Sequence, residues 1–154
     1  MKLDIRNVQT RWINLDGETK NKAEMLSQFD ALGIKNHRRK SAVVIEPPKG
    51  TPDTIKHYRG CAQSHIDILD DPELRYPLLI LEDDAKSTPE FEPVIEIPDD
   101  TDAIYLGVSQ GSGHYYAEDI GGGFARISGV FATHAILYLT ESYANAVSAT
   151  AKHF

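Results

Sequence analysis

Three consecutive carboxylates, Glu82, Asp83 and Asp84, directly follow a run of branched apolar residues at 78–81. The apolar run predicts a strand that is buried on both faces in the middle of a sheet. In open α/β sheets ligands bind at the carboxyl ends of the strands, so these acids are expected to face a crevice. Carboxylates this close repel one another, and a divalent cation would neutralise them. The pattern therefore indicates a metal site, and a solvated acidic loop is the alternative.

Composition limits the classes of protein to which the chain can belong. Its 154 residues suit one domain with a core of its own. A net charge of −7 argues against binding nucleic acid through phosphates, although residues 35–40 are basic and predict a solvated loop or an edge strand. Cys61 is the only cysteine, which excludes an intrachain disulfide and predicts no cysteine-based zinc site. Without a membrane span or a signal peptide in the sequence, we expect a cytoplasmic protein.

The elements that position the acids alternate between strand and helix patterns. Residues 8–15 predict a first strand, and Asp16 is expected to cap a helix that ends at Gly33. A second helix is expected from Thr51, with Gly60 marking a close approach of the backbone. Further strands are predicted over residues 41–45, 94–97, 103–107, 124–128 and 133–139, and a last helix follows Thr140.

A glycine-rich segment at 109–123 interrupts this alternation and predicts a long, mobile loop. No repeat or linker divides the chain. We therefore predict one α/β domain with a mostly parallel central sheet, helices on both sides and some antiparallel strands late in the chain.

Four segments carry a resemblance to a known family. They are Trp12-Ile13-Asn14-Leu15-Asp16, Gly60-Cys61-Ala62-Gln63-Ser64-His65, Leu79-Ile80-Leu81-Glu82-Asp83-Asp84 and Ala132-Thr133-His134-Ala135. In this order they resemble glycosyltransferase family 25, which includes lipopolysaccharide-biosynthesis and collagen galactosyl transferases. The likeness extends over about residues 8–145 and implies a Rossmann-like fold of the GT-A type.

The resemblance also implies a nucleotide-sugar donor, with UDP-glucose and UDP-galactose as the first donors to test. The first segment would line the nucleobase and ribose, through Asn14, Leu15 and Asp16. Ser64 and His65 would lie near the donor.

A metal would be held at a DxD-type motif, here by Asp84 together with Glu82 or Asp83. The chemistry of these residues agrees, because a diphosphate leaving group beside carboxylates needs an intervening hard cation, Mn²⁺ or Mg²⁺. His134 is a further candidate ligand, and a core or edge histidine is the alternative.

Inverting transfer, which the resemblance suggests, also needs a carboxylate that takes the proton from the acceptor hydroxyl. Glu118 and Asp119, in the glycine-rich segment, are the candidates for this base. The chain departs from the family at the turn after the first strand, where Lys20 stands in place of a basic pair.

The expected function is therefore metal-dependent transfer of a hexose from a UDP-sugar to a hydroxyl group of a saccharide or another acceptor. Family members normally continue beyond the last helix, so the alternative is a nucleotide-sugar-binding module that lacks transfer activity. A third reading is a phosphoryl-transfer enzyme with a strand-end nucleophile. Glutamate rarely serves as that nucleophile, and here the outer pair is Glu82 and Asp84.

Overall fold

A computed structural model describes residues 1–46, 48–109, 116–128 and 131–153. Its helices are α1 (Thr19–Leu32), α2 (Asp53–Leu69) and α3 (Glu141–Ala151). Its strands are β1 (Lys2–Asp4), β2 (Gln9–Asn14), β3 (His37–Ser41), β4 (Leu78–Glu82), β5 (Val94–Glu96), β6 (Ala103–Ser109), β7 (Tyr116–Gly121), β8 (Phe124–Ser128) and β9 (Phe131–Tyr138). In these ranges no helix is long and apolar enough to cross a lipid bilayer.

A five-stranded sheet in the order β3-β2-β4-β9-β6 forms the centre of the fold. Strand β2 is parallel to both β3 and β4, whereas β9 is antiparallel to both β4 and β6. Two small antiparallel sheets, β1-β5 and β7-β8, accompany it. The predicted α/β class and the late antiparallel pairing are confirmed, but the prediction of a mostly parallel sheet is wrong. Two adjacent parallel strands need a long crossover between them, and α1 and α2 supply it for β2, β3 and β4. The described residues between β4 and β9 contain no helix that could serve as such a crossover.

The two faces of the central sheet carry separate apolar clusters, because successive side chains of a strand point to opposite sides. On one face Trp12 and Leu81 pack with Phe29 of α1. On the other face Ile80 packs with Ile68 of α2 and with α3. The helices therefore cover both sides of the sheet, as predicted, and β4 is buried from Leu78 through Leu81.

Local features of the helices agree with the sequence in part. Gly33 ends α1 with φ of 74°, and the Thr140 side chain accepts a hydrogen bond from the backbone N–H of Tyr143, so both expected caps are confirmed. The expectation that Asp16 caps α1 is wrong. The helix begins later, at Thr19, and the Asp16 carboxylate binds Arg39 instead.

The second strand and the glycine-rich segment also differ from expectation. The predicted strand at 41–45 lies too late in the chain, since the second strand of the central sheet, β3, begins at His37 within the basic residues 35–40. An edge strand was one of the two predictions for those residues, and it is confirmed, because β3 lies at the edge of the sheet beside β2. Residues 116–123, predicted as loop, form β7 and the turn of a hairpin with β8, and φ is positive at Gly121, Gly122 and Gly123. Residues 110–115 of the predicted loop lie outside the described ranges.

Candidate metal centre

Polar side chains from three neighbouring strands meet at the carboxyl end of the parallel strands. Glu82 ends β4, and β9 runs in the opposite direction beside it with Leu81 paired to Ala135. This register places His134 next to Glu82. Asn14 ends β2, which neighbours β4 on its other side. The acids that follow the central strand therefore lie at the carboxyl end of the strands, which is where open α/β sheets bind their ligands.

Glu82, Asp84 and His134 form the first cluster, named here the acidic triad. His134 Nδ1 lies 3.1 Å from Asp84 Oδ1 and 3.5 Å from Glu82 Oε2. One ligand atom from each residue lies within 4.8 Å of the others. The side chains of Asp84 and His134 are 57% and 39% exposed, so the triad is open to solvent. The structure thus brings together the three residues that the sequence singled out as metal ligands.

Two carboxylates and an imidazole suit a divalent transition ion with mixed oxygen and nitrogen ligands. Mn²⁺ accepts such a set, whereas Mg²⁺ prefers oxygen ligands in near-ideal octahedral geometry. The imidazole of His134 therefore favours Mn²⁺ over Mg²⁺ among the two cations predicted from the sequence.

Cys61, His65 and Glu82 form a second cluster, named here the thiol triad. The Cys61 thiol donates to Glu82 Oε1 at 3.1 Å, and His65 Nε2 lies 3.2 Å from the same oxygen. The ring of His65 is buried, and its Nδ1 has no hydrogen-bond partner among the described residues. The sequence did not single out Cys61 as functional, although its spacing of four from His65 places both on one face of α2.

Asn14 organises the neighbouring carboxylates. Its side-chain amide donates to Asp83 Oδ2 at 2.6 Å and to the Glu18 carbonyl at 3.1 Å, and its Oδ1 accepts from Arg39 Nε at 2.8 Å. The side chain is buried, so both amide hydrogens serve the protein itself. Asn14 therefore positions Asp83 and Arg39 in this structure.

Arg39 is a site residue that sequence reasoning missed. From β3 its guanidinium binds Asp16 Oδ1 at 2.6 Å and the Asn14 carbonyl at 3.0 Å. Hydrogen bonds from Arg39 and Ser41 hold the pKa of the Asp16 carboxyl below its usual value. One signal in the sequence bears on its position. If residues 37–41 form an edge strand, side chains two apart lie on one face, so Arg39 shares a face with His37. His37 stacks on Phe29 of α1 on that face.

The other residues expected near a donor fall into two groups. Leu15 is 42% exposed and Asp16 lies beside it, both on the turn that follows β2. Ser64 is fully buried, where its hydroxyl accepts from the Val43 N–H and donates to the Gly60 carbonyl. Ser64 therefore fixes the packing of α2 against the segment after β3.

Glu118 and Asp119, the candidate bases, lie on the exposed strand β7. Glu118 pairs with Arg126 of β8 at 3.9 Å, and Asp119 accepts from the backbone N–H of Gly121. These contacts stay within the hairpin. Glu118 is thus bound to Arg126 and Asp119 to the backbone of the turn, and among the described residues neither acid contacts the acidic triad.

An open cleft of about 480 Å³ adjoins the acidic triad. Its floor is apolar and includes Phe29, Leu81 and Leu106, and Asp84 and His134 line its side. A molecule seated in the cleft would therefore reach the two exposed members of the triad while its less polar part contacts the floor.

Comparisons with known proteins give no assignment. The chain matches no protein-family model, and neither the curated proteins nor the solved structures contain a significant match to it.

Proposed function

We propose that this protein is a metal-dependent glycosyltransferase of the GT-A type, in which the acidic triad holds Mn²⁺. It would transfer a hexose from a UDP-sugar, UDP-glucose or UDP-galactose, to a hydroxyl group of a saccharide or another acceptor. The observation that carries the proposal is the convergence of Glu82, Asp84 and His134 at the carboxyl end of β4 beside the cleft. The resemblance to glycosyltransferase family 25 supplies the substrate class.

The charges at the site support a metal-bridged diphosphate. A nucleotide diphosphate is repelled by Glu82 and Asp84 unless a cation lies between them. Once bound, that cation supplies Lewis-acid stabilisation of the negative charge on the departing diphosphate. Because Asp84 and His134 are exposed, an ion held by them would be accessible to a diphosphate.

The arrangement of elements is compatible with the proposed fold type. The unit β2-α1-β3-α2-β4 gives three parallel strands whose carboxyl ends meet at the site, with one helix on each face. This is the general layout in which α/β proteins bind nucleotides.

The cleft supports an organic substrate as well as an ion. Lys86 and Ser87 line its rim near Asp84, where they can meet polar groups, and its floor can accept a base or a pyranose face. Leu15 and Asp16 remain the exposed candidates for donor contact after β2. Asn14, Asp83 and Ser64 would act by holding the backbone and neighbouring side chains in place.

Calorimetric titration with UDP, with and without Mn²⁺, tests the proposal, followed by UDP release from UDP-glucose and UDP-galactose. We expect UDP binding that requires Mn²⁺ and a hydrolysis or transfer rate that depends on the sugar. Asp84→Asn should reduce the metal-dependent affinity at least about tenfold while leaving the melting temperature nearly unchanged, because Asp84 is exposed.

Glu90→Gln is the matched control, since it removes one negative charge from the exposed loop after β4 without touching the triad. Its UDP affinity should equal that of the wild type. Equal UDP binding with and without Mn²⁺, or unchanged binding in Asp84→Asn, would overturn the metal assignment.

The alternative function is a nucleotide-sugar-binding module without transfer activity. The location of Glu118 and Asp119 on an exposed hairpin favours it, because a base must reach the acceptor hydroxyl through a hydrogen bond. Metal-dependent UDP binding without release of UDP from either sugar, over a panel of saccharide acceptors, would select this alternative.

A further inference from the structure

We propose that the thiol triad, Cys61, His65 and Glu82, is a separate binding site for a thiophilic divalent cation, and that this cation is Zn²⁺. The site goes beyond the proposed transfer reaction and does not depend on it. The proposal departs from the prediction, made from the single cysteine, that the chain has no cysteine-based zinc site. One cysteine together with a histidine and a carboxylate is also a zinc ligand set.

The positions of the ligand atoms carry the proposal. Cys61 Sγ and His65 Nε2 lie 3.1 and 3.2 Å from Glu82 Oε1, and the three residues offer ligand atoms within 4.8 Å of one another. Zinc bonds of about 2.0–2.3 Å at tetrahedral angles separate neighbouring ligand atoms by about 3.3–3.7 Å. The separations of Cys61 Sγ and His65 Nε2 from Glu82 Oε1 are therefore within a few tenths of an ångström of those in a zinc site. The fourth position would be left for water.

The burial of His65 fixes which of its ring nitrogens can bind an ion. Its side chain is 8% exposed, and Nε2 is the nitrogen that faces Glu82. The other nitrogen, Nδ1, points to the opposite side of the ring, so it takes no part in the cluster. The thiol triad therefore offers one nitrogen, one sulfur and one oxygen at a mostly buried position.

The two triads share Glu82 but use different oxygens. Oε1 faces Cys61 and His65, whereas Oε2 faces His134. The thiol triad contains the one soft ligand and is the more buried cluster, and the acidic triad has two carboxylates and is open. Their ligand chemistry therefore selects different ions, Zn²⁺ for the thiol triad and Mn²⁺ for the acidic triad.

Binding at the thiol triad exchanges a proton for the ion. The Cys61 S–H bond breaks, the electron pair that remains on sulfur forms the bond to Zn²⁺, and the proton passes to solvent. No oxidant or reductant takes part. The ion would join α2 to the end of β4 through ligands on both elements.

Titration of the metal-free protein with Co²⁺, followed by its displacement with Zn²⁺, tests the site without any nucleotide. We expect the near-ultraviolet absorption of thiolate-to-cobalt charge transfer, its loss on adding Zn²⁺, and its absence in Cys61→Ser. Zinc affinity should fall at least about tenfold in Cys61→Ser and in Glu82→Gln. His57→Gln, an exposed histidine on the same helix, is the matched control and should retain both the absorption and the affinity.

Asp84→Asn separates the two sites, since it alters only the acidic triad. It should keep the cobalt absorption and the zinc affinity while losing Mn²⁺-dependent UDP binding. In the wild type, an absence of UDP binding together with a normal cobalt spectrum would defeat the transferase proposal and leave the zinc site intact. No charge-transfer absorption from the folded wild type, or the same absorption in Cys61→Ser, would overturn the zinc site.

Alkylation provides a second measurement on the wild-type chain, where no variant needs to fold. Cys61 is the only cysteine, so mass spectrometry reports its modification by iodoacetamide directly. Zn²⁺ should slow the reaction at least about tenfold, because a zinc-bound thiolate is shielded from the reagent. Equal rates with and without Zn²⁺ would contradict the proposal.

Discussion

The side-chain amide of Asn14 donates a hydrogen bond of 2.6 Å to the carboxylate of Asp83, a residue 69 positions later in the chain. This bond joins the ends of β2 and β4 directly beside the acidic triad. It also withdraws Asp83 from the triad, which explains why the three consecutive acids do not act as one cluster. Asp83, the central acid, binds Asn14 and so links two strands, whereas Glu82 and Asp84 face His134.

Replacing Asn14 with alanine should therefore destabilise the fold. The change removes the amide that donates to Asp83 and to the Glu18 carbonyl, and the oxygen that accepts from Arg39. Asn14 is buried, and each polar group left unsatisfied there costs about 1–3 kcal/mol. We expect a loss of about 2 kcal/mol in the free energy of unfolding, measured by urea denaturation with the emission of Trp12, the only tryptophan. Ser41→Ala removes an exposed hydrogen bond to Asp16 and should cost less than about 1 kcal/mol. Equal stability of the two variants would contradict this reading of Asn14.

Gly60→Ala tests the contact that sets α2 against the segment after β3. A Cβ at this position would lie 2.5 Å from the carbonyl oxygen of Val43, which is backbone and cannot rotate away. Overpacking of this kind costs about 1–3 kcal/mol, which exceeds the gain of about 1 kcal/mol from replacing a helical glycine. We expect net destabilisation in thermal unfolding. At Gly17 a Cβ meets nothing within 4 Å, so Gly17→Ala is the control without a clash, and a stabilised Gly60→Ala would refute the contact.

The features predicted correctly from sequence are those encoded by short local patterns. The buried strand before Glu82 follows from an apolar run, and the end of α1 follows from Gly33, whose left-handed backbone favours glycine. Gly60 gave a warning of close packing because glycine inside a helix is costly, and Val43 supplies the reason.

The features that were missed depend on pairing between distant segments. Strand β3 lies at residues 37–41 because its basic residues pair with β2 and place Arg39 on Asn14 and Asp16. The basic residues 35–40 predicted a loop or an edge strand, and no local pattern decided between the two or fixed the register with β2. The thiol triad depends in the same way on the packing of α2 against β4, which places Cys61 and His65 on Glu82.

Tyr105, which is partly buried, and Tyr138, which is buried, predict a loss of stability at alkaline pH. Burial raises the pKa of Tyr105 to about 12 and raises the pKa of Tyr138 further above its ordinary value. Unfolded tyrosines lose their protons near pH 10, so above that pH the unfolded state binds fewer protons and the free energy of unfolding falls as pH rises. Urea denaturation between about pH 9 and pH 11 measures the slope. Tyr105→Phe should make this slope shallower, and an unchanged slope would contradict the assignment.

The contact of Asp70, which follows α2, with the end of α3 predicts a loss of stability in acid. Hydrogen bonds from Lys152 and Ser148 hold the pKa of the Asp70 carboxyl below its ordinary value. The stabilisation is therefore complete above the unfolded-state pKa of about 3.9 and is lost as pH falls through the lower folded-state pKa.

Asp70→Asn should accordingly lower the free energy of unfolding by about 1 kcal/mol at pH 7, because the pair is partly exposed, and by much less in strong acid. Denaturant unfolding of both proteins at pH 7 and at about pH 2 measures this difference. Glu90→Gln, which removes an exposed carboxylate elsewhere, should stay within about 0.5 kcal/mol of the wild type at pH 7. A deficit in Asp70→Asn that is the same at both pH values would mean that the amide disturbs packing, since loss of a charge effect must vanish once the wild-type carboxylate is protonated.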